Sequence, residues 1–372
     1  MSSIKTLRTV ALGGSGMTKQ LKIGGSSPVS IQTMWKAPLS STGLDEVARE
    51  LMVLEQLGCD IVRFAVPDMD SAEALVSLAS MTSMPLVADI HFDWRLALKC
   101  LDGNVAKIRI NPGNIGSRDK VREVVSKAKD KNAAIRIGVN SGSLPADLRE
   151  KVEAQAAKGS SSALIRAEAL VEAASREVGV FEELNFQNYL VSMKASTVEE
   201  TVLCNEAFAS RFDIPLHLGV TEAGPLISGV VKSTLAFSRL LPKGIGSTVR
   251  VSLSDSIRNE VIAGREILAE CGIRTGGVRI VSCPRCGRNG FDVHGFVSRW
   301  ETELMSLKKD ITVAVMGCVV NGPGEGKHAD IGITGAGDKV LIFRRGEIVK
   351  TVSVSDGYES ADAAFREELN KL

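Results

Sequence analysis

Short apolar runs rich in β-branched residues recur along the first 270 positions. Each is followed by a longer stretch whose apolar residues fall three and four apart. "VSIQTM", "DIVRFAV", "PLVADI", "VAKIRI", "AIRIGV", "NYLVSM", "PLHLGV" and "TVRVSL" read as strands buried on both faces. "GLDEVARELMVLEQLG" and "STVEETVLCNEAFASRF" read as amphipathic helices, and "DMDSAEAL" and "SDSIRNEV" carry helix start signals. Eight strand–helix units predict a parallel sheet closed into a (β/α)8 TIM barrel. The structural rival is an open doubly wound sheet, weakened because no glycine-rich dinucleotide fingerprint follows the first strand. "AKGSSS", residues 157–162, reads as an exposed loop inside a long fifth connection.

The rhythm changes after Gly272. "GGVRIVSC", a helical stretch from about 291 to 308, "ITVAVMG", "ADIGITG", the pair "KVLIFRRG"/"EIVKTVSV" and a final helix "SADAAFREELNKL" predict a smaller α+β domain. A chain of 372 residues is long enough for two cores, and the division falls at 1–271 and 272–372.

Charge alters this picture locally rather than globally. The formal net charge is only +1, which gives no whole-molecule field to attract nucleic acid or an anionic membrane. No apolar run is long enough to span a bilayer, and the N-terminal residues lack the continuous apolar core of a signal peptide. A cytoplasmic protein is expected. Yet Arg63, Arg109, Arg136 and Arg250 lie between apolar neighbours inside strand candidates, and Lys194 lies in "VSMKAS". Neither face of a closed barrel strand meets bulk water, so each buried cation needs an anionic partner. Pairing with acids of the chain is the simple account, but Asp89 and Glu222 are the clear inward-facing acids. The surplus predicts a ligand carrying several negative charges, such as a compact phosphate or diphosphate ester bound at the barrel mouth. His91, Asn140 and Ser252, just beyond charged strand residues, are candidates to touch it, and mid-strand His217 is a weaker one.

Of seven cysteines, Cys59, Cys100 and Cys204 sit in apolar or helical surroundings and read as small buried hydrophobes. Cys271 is a weak candidate ligand. Cys283 and Cys286 form a C-x-x-C pair in "SCPRCGRN", Cys318 follows in "VMGCVVNGPGEG", and Glu325 lies seven residues further on among glycines and a proline. Three thiolates and a carboxylate could complete a four-coordinate set. Zinc, an iron–sulfur cubane and a dithiol redox pair all remain open on spacing alone. In a cubane the oxygen donor would mark one iron as different and exchangeable. A radical-SAM reading fails because C-x-x-x-C-x-x-C is absent.

"SCPRCGRNGFD" and "VMGCVVNGPGE" resemble the two cluster motifs of the hydroxymethylbutenyl diphosphate synthase family of the non-mevalonate isoprenoid pathway. The resemblance runs through "VRFAVP", "VADIHFDWRLAL", "KIRINPGNIG", "RIGVNSGSL", "SMKAS", "LHLGVTEAG", "RVSLS" and "ADIGITG", nearly the whole chain in one order, in a length like the compact bacterial form. It implies an oxidoreductase that opens and dehydroxylates methylerythritol cyclodiphosphate with electrons from flavodoxin or ferredoxin. It implies a [4Fe-4S] cluster on Cys283, Cys286, Cys318 and Glu325, in a sulfite-reductase-like domain. Arg63, Arg109, Arg136, Asn140, Lys194, Arg250 and Ser252 would hold the diphosphate, with Asp89, His91 and Glu222 around the reacting carbons. Relatives work as homodimers in which one chain's cluster domain caps its partner's barrel. One stretch departs: "MWKAPLSSTG" replaces a Thr/Asn-rich run, so Trp35, Lys36 and Pro38 carry no inherited role. The rival class is a non-redox barrel, dihydropteroate-synthase-like, beside a structural zinc domain.

Overall fold

A computed structural model describes residues 7–40, 42–157, 162–284, 286–287, 290–353 and 358–372, without the side chains of Pro112, Ser143, Asn321 and Glu325. Most of "AKGSSS" lies outside the described residues. The chain forms two compact units, Met1–Arg274 and Thr275–Leu372.

The first unit opens with an antiparallel hairpin of β1 (Thr9–Leu12) and β2 (Leu21–Gly24). All eight anticipated barrel strands follow: β3 (Ser30–Met34), β4 (Ile61–Ala65), β5 (Leu86–Asp89), β6 (Lys107–Ile110), β7 (Ala134–Asn140), β8 (Tyr189–Lys194), β9 (His217–Leu218) and β10 (Thr248–Val249). They form one parallel sheet in the order β8-β7-β6-β5-β4-β3-β10-β9, and a parallel bridge between Val191 and Leu216 brings its two edges together. "TVRVSL" yields only two strand residues, so Arg250 lies just past β10 rather than inside it.

Helices cover the strands because their apolar stripes face inward and their starts are capped. Asp68 accepts the Ser71 N–H at 2.8 Å and Ser256 that of Asn259 at 3.1 Å, satisfying first-turn donors. The hairpin was not anticipated. Its Val10, Leu12 and Ile23 pack with Ile61, Val87, Ala106, Ala134 and Leu190, close to the N-terminal ends of the strands. Asn188 fastens it by accepting from the Ala11 N–H at 2.8 Å and donating to the Ala11 carbonyl at 3.0 Å. It therefore floors the barrel opposite the mouth.

The second unit is a five-stranded mixed sheet of β11 (Val278–Ser282), β12 (Ile311–Met316), β13 (Ile331–Ala336), β14 (Lys339–Arg344) and β15 (Glu347–Ser353), in chain order. β11, β12 and β13 run parallel, while β14 and β15 are antiparallel additions. Arg345 and Gly346, at φ 48° and 88°, make the turn between β14 and β15, matching the strand twist. Helices Val293–Ser306 and Glu359–Asn370 supply Phe296, Trp300 and Phe365 to its core. The Phe365 ring meets the other two edge-on, with centroids 5.2 and 5.0 Å away.

Candidate active site

Parallel register builds the barrel site. Asp89 on β5 is the direct partner of Arg109 on β6, which in turn is the partner of Arg136 on β7. Directly paired residues of a parallel sheet share a face, so one row carries an acid and two guanidinium groups. On β4, Arg63 is opposite Met34 and donates to its Sδ at 2.7 Å. At the ends of β7 and β8, Asn140 is opposite Lys194. Two glycines make room for these long side chains. A Cβ on Gly138 would stand 2.3 Å from Arg109 Nε, and one on Gly219 would stand 3.0 Å from Lys194 Nζ.

Asp89 serves two arginines at once: Arg63 Nε lies 3.6 Å away, an ion-pair rather than hydrogen-bond distance, and Arg109 Nη1 lies 3.3 Å away. Burial pushes its pKa up, but the charges of Arg63, Arg109 and Arg136 outweigh that and hold it below the usual carboxylate range. Arg109 also donates to His91 Nε2 at 3.0 Å, which requires that nitrogen to be an acceptor and the imidazole neutral. Burial, with the charges of Arg109 and Arg63, keeps the His91 pKa low against the pull of Asp89. A cavity of about 250 Å³ opens here, lined by Ala65, Val66, Pro67, Asp89, His91 and Phe92 among others.

Glu222 does not face inward as anticipated. The chain leaves β9 at Leu218, and Glu222 is an exposed rim residue at φ 51° that accepts from Ser196 Oγ at 2.8 Å. The acid that joins Asp89 among these cations is buried Glu260, on helix Ile257–Glu270, which sequence reading missed. Its Oε2 accepts from Thr33 Oγ1 at 2.7 Å and from Arg250 Nε at 3.2 Å, and its Oε1 from Arg250 Nη2 at 3.2 Å. Burial raises the Glu260 pKa, but Arg250 and these hydrogen bonds prevail and hold it low.

Lys107 was also missed. It is completely buried on β6, two residues before Arg109 and so on the same face, with Gln32 Oε1 as acceptor at 3.1 Å. Burial and neighbouring arginines depress the pKa values of Lys107, Arg136 and Lys194 well below their ordinary values. The same causes, opposed by Asp89, bring Arg63 down to about 10. Arg136 donates to Ser192 Oγ at 3.1 Å, but its Nε and Nη2 have no hydrogen-bond partner among the described residues; nor have Gln32 Nε2 and His217 Nε2. His217 is anchored through Nδ1 to Thr248 Oγ1 at 2.7 Å. Ser252 is half-buried in the segment after Arg250. Among the described residues, Arg63, Lys107, Arg109, Arg136, Lys194 and Arg250 thus outnumber Asp89 and Glu260, the acids set among them. Buried donors without acceptors are costly, and a multiply charged oxyanion supplies what they lack.

In the second unit, β11 leads into Cys283 and β12 into Cys318. These are neighbouring parallel strands, and the Cys283 N–H extends their pairing by donating to the Val315 carbonyl at 3.0 Å. The Gly322 N–H donates to the Cys318 carbonyl at 2.9 Å, closing the turn after that residue. Cys283 is half-buried, Cys286 exposed and Cys318 buried. The Glu325 side chain lies outside the described residues, and among those described no Cys, His, Asp and Glu side chains converge into a metal-binding group. The donors nonetheless suit a thiophilic metal group: three thiols follow the ends of adjacent parallel strands. The other four cysteines are placed elsewhere. Cys59, Cys100 and Cys204 are buried, with thiol pKa values pushed up to about 12 chiefly by burial, and Cys271 ends helix Ile257–Glu270.

Fold and site together define a parallel barrel with a cation-lined interior and, following it in the chain, an α+β unit that presents thiols. The chain belongs to the GcpE family: residues 15–265 match the GcpE TIM-barrel domain and residues 279–367 the GcpE protein C-terminal domain. A relative from Treponema denticola, named 4-hydroxy-3-methylbut-2-en-1-yl diphosphate synthase (flavodoxin), is 61% identical over 387 residues, covering 100% of both chains. Relatives with the same name from Treponema pallidum and Thermodesulfovibrio yellowstonii are 62% and 44% identical, covering 98% and 94% of this chain and 92% and 95% of their own. Among solved structures, Yersinia pestis dihydropteroate synthase aligns over 73% of this chain and 98% of its own, at a TM-score of 0.45 and 11% identity, too distant to bear on function.

Proposed function

We propose that this chain reductively opens 2-C-methyl-D-erythritol 2,4-cyclodiphosphate and removes a hydroxyl, giving 4-hydroxy-3-methylbut-2-enyl diphosphate for isoprenoid biosynthesis. The observation that carries this reading is the excess of buried cations in the barrel of a chain whose relatives are named for that product. Those names fit the redox reading and not the non-redox barrel with a structural zinc domain.

Arg63, Arg109, Arg136, Lys194 and Arg250, with Asn140 and Ser252, hold the diphosphate. The unsatisfied Nε and Nη2 of Arg136 are donors that phosphate oxygens would satisfy. Asp89 keeps Arg63 and Arg109 oriented and balances part of their charge, while neutral His91, fixed by Arg109, offers its remaining N–H to the sugar-derived oxygens. Glu222, exposed and accepting from Ser196, would deliver a proton as a hydroxyl leaves as water. Cys283, Cys286, Cys318 and Glu325 would hold a [4Fe-4S] cluster, which when bound supplies two electrons singly and a Lewis-acidic iron on its carboxylate side. Flavodoxin, in the relatives' names, is the proposed electron donor, with ferredoxin the alternative. We further propose a cytoplasmic homodimer; no helix among the described residues is long and apolar enough to cross a membrane.

The test is metal and sulfide analysis of anaerobically purified protein. A brown protein with about four iron and four sulfide per chain is expected. A colourless, zinc-replete protein that still turns over would overturn the reading.

A further inference from the structure

We infer that Lys36 is a positioning residue for the anion site: it pins the segment carrying Arg250 and Ser252 to the end of β3. This rests on the anion-binding reading of the barrel mouth proposed above. Lys36 lies in the stretch that departs from the family resemblance, to which no role was assigned.

Its backbone is held from one side. The Trp35 N–H donates to the Arg63 carbonyl at 2.8 Å, prolonging the β3–β4 pairing by one residue. The Trp35 ring stacks on Phe64, with centroids 5.8 Å apart and planes 24° from parallel. From this fixed base the Lys36 ammonium reaches three acceptors. It donates to the Leu253 carbonyl at 2.6 Å and to the Asp255 carbonyl, and lies 3.1 Å from Glu260 Oε1. An ammonium has three protons, so this constellation saturates it.

What it grips matters. Residues 250–256 form neither strand nor helix, since β10 ends at Val249 and the next helix begins at Ile257. This segment holds Arg250 and Ser252, both assigned above to the diphosphate. Its other tethers include the Arg250 N–H to the Leu218 carbonyl at 3.0 Å, the Leu253 N–H to Glu260 at 3.1 Å, the Ser254 N–H to the Gly224 carbonyl at 3.0 Å and Asn259 Nδ2 to Asp255 Oδ1 at 2.7 Å. Lys36 adds a cross-link from the end of β3, the strand paired with β10. It also brings a second full positive charge to Glu260, beside that of Arg250. With Lys36 present, Arg250 no longer neutralises Glu260 alone, which leaves more of its charge for an incoming anion. Losing Lys36 would both loosen the segment and tighten Arg250 onto Glu260. Each change weakens anion binding without removing a group that touches the anion.

The experiment titrates inorganic pyrophosphate into the full-length protein by calorimetry, comparing wild type, Lys36→Met, Lys36→Arg, Arg250→Ala and the double variant Lys36→Met/Arg250→Ala. Lys36→Met should bind roughly tenfold more weakly with little change in melting temperature, and Lys36→Arg should recover most of the loss. The double variant should lose less than the sum of the two single losses, because Lys36 acts in large part through Arg250. Should Lys36→Met not fold, Lys36→Gln keeps a donor without the charge and should show the same loss. Wild-type affinity in folded Lys36→Met or Lys36→Gln, or losses that simply add in the double variant, would overturn the role of Lys36 alone. A wild-type protein that does not bind pyrophosphate would overturn the anion-site reading and this inference with it.

Discussion

The barrel mouth and the thiol loops carry the two halves of the proposed chemistry, and they are built on opposite terms. In the barrel, the charges stand on strands. Register aligns Asp89, Arg109 and Arg136 in one row, and notches at Gly138 and Gly219 accommodate the side chains that cross it. In the second unit, Cys283, Cys286 and Cys318 stand beyond strand ends, where backbone hydrogen bonds tie the Cys283 N–H and the Cys318 carbonyl. The fold itself fixes the anion site at the cost of holding like charges together. On the reading proposed above, the group that the thiols would hold completes that site.

The sharpest way to break this contrast is a double dissociation. Arg136→Ala should weaken pyrophosphate binding on the order of a hundredfold while leaving iron and sulfide per chain unchanged. Cys283→Ser should do the reverse, losing metal and sulfide with pyrophosphate affinity preserved. Calorimetry and metal analysis on the same samples decide it, and a variant that lost both properties would show the two sites to be one. A smaller effect is expected from Gly138→Ala. The added methyl meets the Arg109 guanidinium rather than backbone, so Arg109 must move, and binding should fall by roughly tenfold or less with the fold retained.

The smallest effect is a proton count. Burial and arginine neighbours hold the Lys107 and Lys194 pKa values well below the ordinary lysine value in the free barrel. A bound anion favours their charged forms, so binding takes up protons between the free-barrel pKa and the ordinary value, and affinity rises as pH falls through that window. The free native state holds fewer protons there than the unfolded chain, so its own stability rises with pH across the same window. Calorimetry in buffers of different ionisation enthalpy should show the uptake reduced in Lys107→Met; an unchanged uptake would remove Lys107 from the linkage.

Much of this was legible in the chain. β-branched runs separated by amphipathic helices specified the barrel, and arginines within such runs marked its charged interior. Lys107 was legible too, since in "KIRI" alternation puts it on the face of Arg109, but one side of that pattern was overlooked. Glu260 was not, because a helix residue becomes a barrel acid only once the helix start is docked beside β3. Glu222 misled for a related reason: "GVTEAG" resembles a strand continuing inward, whereas the chain has already turned at the rim. The hairpin at residues 9–24 escaped because its strands are four residues each and a long turn of glycines and polar residues separates them. Spacing could not place the sulfur donors relative to one another, because it fixes order along the chain and not distance across a sheet.

That hairpin gives the barrel a floor. With Val10, Leu12 and Ile23 packed against the N-terminal strand ends, the barrel is closed at the end opposite its mouth. Whatever enters through the mouth must leave by it, so successive occupants queue at a single door and a spent molecule that lingers blocks the next arrival. Departure of the product is then a natural place for turnover to be throttled.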